Sequence, residues 1–172
     1  WTSMRNAEVI CDAIAETLYG QDPENKDIYQ SNAEAYQKKL ANLDAEYQNT
    51  VENAKQNTLL FADRFPFRYL TDDYGLNYYA AFSGCSAESE ASFKTITFLA
   101  RKIDELGLNS VFTIEKSDDR IAQTVIENTK TKDQNILVLN SMQSITAQEI
   151  ADGTTYLSVM KENLKVLKEA LN

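Results

Sequence analysis

Thr58-Leu59-Leu60-Phe61-Ala62 is a continuous apolar run the length of a strand buried on both faces, with no polar alternation to mark a solvent side. Three similar runs follow: Asn77 to Phe82, Ser110-Val111-Phe112-Thr113-Ile114, and Gln134-Asn135-Ile136-Leu137-Val138-Leu139. Between them the period becomes helical. Residues 66–74 form one such segment. Phe93, Ile96, Leu99, Ala100, Ile103 and Leu106 form a second, ended by Gly107, and Ile121, Ala122, Val125 and Ile126 a third. Alternation at this spacing predicts right-handed crossovers and an α/β fold, a four-stranded parallel sheet flanked by helices. A closing helix carries Leu157, Met160, Leu164, Leu167 and Leu171 on one face.

Two helices precede the sheet. Val9, Ile10, Ala13, Ile14, Thr17 and Leu18 make one stripe over 5–19, with Ser3 to cap its start and Gly20 and Pro23 at its end. Then Tyr29, Ala33, Tyr36, Leu40, Leu43, Tyr47 and Val51 recur at steps of three and four among polar residues. With no Gly or Pro between them, they predict an unbroken helix over 26–55, about 42 Å long at 1.5 Å per residue. Its narrow seam suits a rigid strut that packs on the sheet for part of its length.

Composition narrows the chemistry. The chain has 172 residues and a net charge of −9, which argues against a nucleic-acid surface. There is no histidine. Ser-His-Asp and Cys-His catalysis are therefore excluded, as is any zinc site needing an imidazole from this chain. Cys11 and Cys85 are too few for a cysteine-only zinc site and leave open one disulfide or two separate thiols. No apolar stretch approaches the roughly 18 residues of a membrane span. Trp1-Thr2-Ser3 shows neither an initiator Met nor a targeting signal, so the chain reads as a fragment whose parent's location is open.

In an open parallel sheet, ligands bind beyond the carboxyl ends of the strands. The residues expected there are Asp63 and Arg64, then Ser83-Gly84-Cys85, then Glu115, Ser117, Asp118 and Asp119, then Asn140 and Ser141. Carboxylates converging from separate strands repel unless a metal ion or an arginine lies between them. Asp118 and Asp119 also suit the cap of the following helix. No Gly-rich phosphate loop and no nucleophile–base pair is present, so the reading is a binding protein and not an enzyme. Eight aromatic side chains between Phe61 and Phe82 read mostly as core, with a stacking platform as the lesser alternative.

The order of motifs resembles the zinc/manganese substrate-binding proteins of ABC transporters. Trp1-Thr2-Ser3 with Asn6-Ala7 is similar to the segment after that family's first metal-ligand region. Asp22-Pro23-Glu24-Asn25, then Tyr29, Asn32-Ala33, Tyr36, Leu40 and Leu43, resembles its long connecting helix. Arg64 to Leu76, with Phe67, Tyr69 and Tyr74-Gly75-Leu76, resembles the first helix of its second lobe. Glu88-Ser89-Glu90-Ala91-Ser92 resembles its Glu-Pro-Ser helix start, and Tyr156 to Leu171 its closing helix.

That resemblance implies three parts: 1–25 as a remnant of the N-terminal lobe, 26–56 as the connecting helix, and 57–172 as the C-terminal lobe. It implies a divalent metal, Zn²⁺ or Mn²⁺, held between two lobes by an extracytoplasmic, monomeric receptor that serves a membrane permease. The family's usual His would fall just upstream of Trp1. Its next ligand position falls on Arg64, or on Asp63 if one residue is inserted around Pro66. An arginine cannot ligate a metal, so Asp63 is preferred. The last ligand position matches Asp118 or Asp119. Carboxylates alone favour a hard ion such as Mn²⁺, or a weaker zinc site. Arg64 and Arg68, with Glu115 as a site neighbour, leave a rival reading in which the parent takes an anionic metal chelate. A degenerate site in an adhesion or docking domain is the remaining alternative.

Overall fold

The computed structural model describes residues 1–84 and 90–172. Cys85 and the Glu88-Ser89 helix start lie outside the described residues, so the pairing of Cys11 with Cys85 does too. The sheet contains β1 (Thr58–Phe65), β2 (Asn77–Ser83), β3 (Ser110–Ile114) and β4 (Asn135–Leu139), all parallel, in the order β2-β1-β3-β4. The helices are α1 (Met4–Gln21), α2 (Lys26–Glu52), α3 (Arg68–Tyr74), α4 (Phe93–Leu106), α5 (Arg120–Glu127), α6 (Ala147–Ala151) and α7 (Tyr156–Leu171). The α/β class and the four-stranded parallel sheet are as the apolar runs imply.

Each sheet face is covered, which is why its strands carry no polar alternation. On one face Leu60, Ala62 and Val111 meet Leu99, Ala100 and Ile103 of α4 and Ala122 and Val125 of α5. On the other, Leu59, Phe61 and Phe112 meet Leu43 and Tyr47 of α2, Leu70 and Tyr74 of α3, and Met160, Leu164 and Leu167 of α7. The aromatic cluster is core for the most part. Phe61 stacks on Phe67 and Phe112, and Phe65 on Tyr78, while Tyr69 stays 61% exposed.

The long helix is unbroken over 27 residues. Its seam divides between two partners. Tyr29, Ala33 and Tyr36 line a groove with Cys11, Ala15 and Leu18 of α1, whereas Leu40, Leu43, Tyr47 and Thr50 are buried against the rest of the fold. Tyr47 buries its ring completely and donates its hydroxyl to the Met160 carbonyl at 2.6 Å.

The exposure of the α1 stripe is not foretold by its period: Val9, Ile10 and Ile14 are 66%, 51% and 57% exposed, and Met4 and Ala15 are the buried positions. Periodicity establishes that a helix has an apolar face; it does not establish that the partner lies in the same chain. Helix α6 was also not anticipated. It is short, and a reciprocal capping box between Thr146 and Glu149 sets its start.

Candidate functional site

Strand order fixes where a crevice opens. From β1 the chain moves outward to β2, then crosses back to place β3 on the other side of β1, so the topology switches between β1 and β3. At such a point the connecting segments leave in opposite directions and vacate the space beyond the two carboxyl ends.

Asp63 stands at this crevice. β1 pairs with β2 through Phe61 opposite Ala80 and then Arg64 opposite Phe82, three residues against two, which places a bulge at Ala62 and Asp63. The strand runs on past the bulge to Phe65. Towards β3 the register is Phe61 opposite Phe112. Beyond that pair the Asp63 carboxylate acts as a surrogate strand edge: Oδ2 accepts the Ile114 N–H at 3.3 Å and Oδ1 accepts the Arg64 N–H at 2.7 Å. Arg64 keeps its guanidinium beside the same oxygen, Nε to Oδ1 at 3.7 Å, with its side chain 38% exposed. Each arginine pairs with a carboxylate near it in sequence, Arg64 with Asp63 and Arg120 with Asp118.

The two aspartates after β3 differ in their surroundings. Asp119 occupies the cap position of α5, but its backbone is left-handed (φ 57°) and its side chain makes no cap bond. A capping side chain needs extended backbone to reach the free N–H groups. Asp118 supplies the contact instead, accepting from the Arg120 N–H at 3.2 Å and from the Arg120 guanidinium. These bonds, the backbone one foremost, hold its carboxyl below the usual range. Asp119 Oδ1 is buried and has no hydrogen-bond partner. The only other such side-chain oxygen among the described residues is the Thr113 hydroxyl. A buried carboxylate oxygen without a donor is the costlier of the two, and a cation is what would satisfy it.

Glu115 is fully engaged. Oε2 accepts the Ser141 N–H at 2.7 Å; Oε1 accepts the Ser141 hydroxyl at 2.8 Å, the Gln143 N–H at 3.1 Å and the Ser144 hydroxyl at 3.2 Å. Burial alone pushes this carboxyl up, but the bonds from Ser141 and Ser144 outweigh it and the net shift is downward. Arg68 is spent elsewhere. Its Nε contacts both Asp72 oxygens, at 3.0 and 2.9 Å, and it borders a concavity of about 690 Å³ with Asn57, Asn77 and Tyr78. Among the described residues no group of three or more Cys, Asp or Glu side chains is close enough together to hold a metal ion.

Two contributors escaped the reading of the sequence. The turn over 140–144 is held from several sides, and Trp1 donates its indole N–H to the Ser141 carbonyl. Thr2 and Ser3 are buried at the same end, Thr2 donating to the Pro66 carbonyl at 3.4 Å and Ser3 to Asp73 at 2.5 Å. The one signal for this was the presence of Trp1-Thr2-Ser3 itself, since a Trp N–H beside small hydroxyl residues has donors to place.

Over 169 residues the chain is 31% identical to the zinc-binding lipoprotein AdcA of Streptococcus pneumoniae, covering 98% of this chain and 33% of that one. Over 171 residues it is 28% identical to the high-affinity zinc uptake system protein ZnuA of Bacillus subtilis, covering 99% and 52%. The chain therefore spans a third to a half of the length of these relatives. The Zn(II)-bound ZnuA-like domain of S. pneumoniae AdcA superposes with a TM-score of 0.79 at 30% identity, over 99% of this chain and 62% of that domain. The metal-dependent lipoprotein YcdH of B. subtilis superposes at 0.85 and 27% identity, over 100% and 63%. Their names describe binding and uptake of metal, not catalysis. A family model described as zinc-uptake complex component A, periplasmic, matches residues 1–170, and the chain belongs to that family.

Proposed function

We propose that this chain is the connecting helix and C-terminal lobe of the extracytoplasmic receptor of an ABC transporter, which takes a divalent metal as cargo and delivers it to the permease. Zinc is the favoured cargo, because AdcA and ZnuA are named as zinc-binding and zinc-uptake proteins. The observation that carries the reading is the buried, unpartnered Asp119 oxygen in the loop that follows β3. Asp63, near the carboxyl end of β1, offers a second carboxylate, and Asp118 acts through the start of α5. The exposed stripe supports the assignment of α1 beyond its first turn to another lobe, whose remaining elements would cover Val9, Ile10 and Ile14, while Trp1 to Met4 pack on this one.

The donors offered here are carboxylate oxygens. They suit Mn²⁺ as cargo as well as Zn²⁺, and tight zinc binding requires softer ligands from the other lobe. Titration calorimetry of the full-length parent with Zn²⁺ and Mn²⁺ tests this: saturable binding of either is expected, and binding of neither overturns it. The isolated chain should bind only in the micromolar range or weaker. A second reading, an anionic metal chelate, is favoured by Arg64 at the crevice alone, since the Arg68 guanidinium is taken by Asp72.

A further inference from the structure

We propose that Glu115 is a positioning residue of the cargo site, holding the turn over 140–144 as a fixed wall of the crevice, and is not a metal ligand. The inference rests on the metal-receptor reading above. Glu115 directly follows β3, the strand that leads to Asp119, and the turn directly follows β4, the neighbouring strand. A carboxylate offers about four lone-pair directions. Four donors from the turn meet it: the Ser141 hydroxyl, the Gln143 N–H and the Ser144 hydroxyl converge on Oε1, and the Ser141 N–H meets Oε2. An ion drawn to Oε1 would have to displace the bonds that hold the turn.

The rest of the turn is built to the same end. Met142 is left-handed (φ 62°) and donates its N–H to the Asn140 side chain at 2.8 Å. Asn163 of α7 clamps Asn140 with a bond in each direction, both 2.8 Å. Lys116 donates to the Ser144 carbonyl and Trp1 to the Ser141 carbonyl. The turn's N–H groups face inward to Glu115 and Asn140, while its carbonyls are held from outside by three separate segments. A strained backbone pinned by that many bonds stays in one geometry, which a site selecting an ion by fixed distances needs.

The test uses the full-length parent loaded with Zn²⁺. Glu115→Gln puts an amide N–H₂ against the turn's own donors. Stopped-flow competition with a chelator should show zinc leaving about 10- to 100-fold faster, the usual range for groups that orient ligands. X-ray absorption should show the same number of oxygen neighbours around zinc as in the wild type. Loss of an oxygen neighbour would make Glu115 a ligand and overturn the proposal; an unchanged release rate would overturn it too. If Glu115→Gln does not fold, Ser144→Ala, which deletes only one hydroxyl donor, should speed release in the same direction, and no change there overturns the proposal. A wild-type parent that binds no metal overturns the receptor reading, and this inference with it.

Discussion

Asp63 of β1 and Ile114 of β3 are joined by a side chain where a ladder bond would be expected: the Asp63 carboxylate accepts the Ile114 N–H across the point where the sheet topology switches. The bulge in β1 makes this possible by turning Asp63 towards β3.

Replacing Asp63 should therefore affect both folding and cargo. Asp63→Ala strands the N–H groups of Ile114 and Arg64, and leaving buried donors unpaired costs about 1–3 kcal/mol in total stability. Urea unfolding of this chain should show the loss at unchanged m-value. Asp63→Asn keeps an acceptor oxygen and should recover part of it. If Asp63→Ala is as stable as the wild type, the carboxylate is not closing the sheet edge.

The two aspartates after β3 should separate by assay. In the full-length parent, Asp119→Ala should weaken zinc binding tenfold or more in calorimetry. Asp118→Ala should leave affinity much nearer the wild type and shift the helical signal of the α5 region instead. Larger affinity loss at Asp118 would mean that the side chain exposed beside Arg120 is the one that turns to the metal.

Docking of the long helix depends on a hydroxyl. Tyr47→Phe retains the ring and its stacking on Tyr74, 5.2 Å between centroids, but removes the donor to the Met160 carbonyl. A loss of about 1 kcal/mol is expected from thermal or urea unfolding. No loss would indicate that water replaces the tyrosine at that carbonyl.

Acid should loosen the turn over 140–144. The Glu115 carboxyl is held below its ordinary value of about 4.5 in the fold. The unfolded chain therefore takes up this proton first as pH falls, so the stability Glu115 contributes is complete above about pH 4.5 and is lost as pH drops through its lower folded value. Urea midpoints measured from pH 7 to pH 3 should fall less steeply in Glu115→Gln than in the wild type. Equal slopes would refute the linkage.

The sequence reveals the sheet through its apolar runs, because a strand covered on both faces has no polar residue to hide its extent. The bulge is not visible in the same way: Ala62 and Asp63 carry no Gly or Pro signal, and the register shift exists only against β2. Asp118 and Asp119 are chemically the same residue one step apart, and what separates them is the left-handed backbone at Asp119, a property of the loop as a whole. Val9, Ile10 and Ile14 declared an apolar face without saying what covers it. Thr146 and Glu149, by contrast, did carry a legible start signal for α6, and only the shortness of that helix hid it.

Trp1 to Met4 precede the long helix in the chain, yet Met4 is wholly buried in the core formed by α2, α3, α7 and the sheet. On the two-lobe reading proposed above, the lobes are consequently not interchangeable modules. A graft cut at the end of α2 would carry a hole where Met4, Leu43 and Tyr47 belong, and the donor lobe would arrive with those side chains bare. Exchange between relatives has to take the first turn of α1 and the second half of α2 along with the sheet, so the unit of inheritance is discontinuous in sequence although it is one body in space.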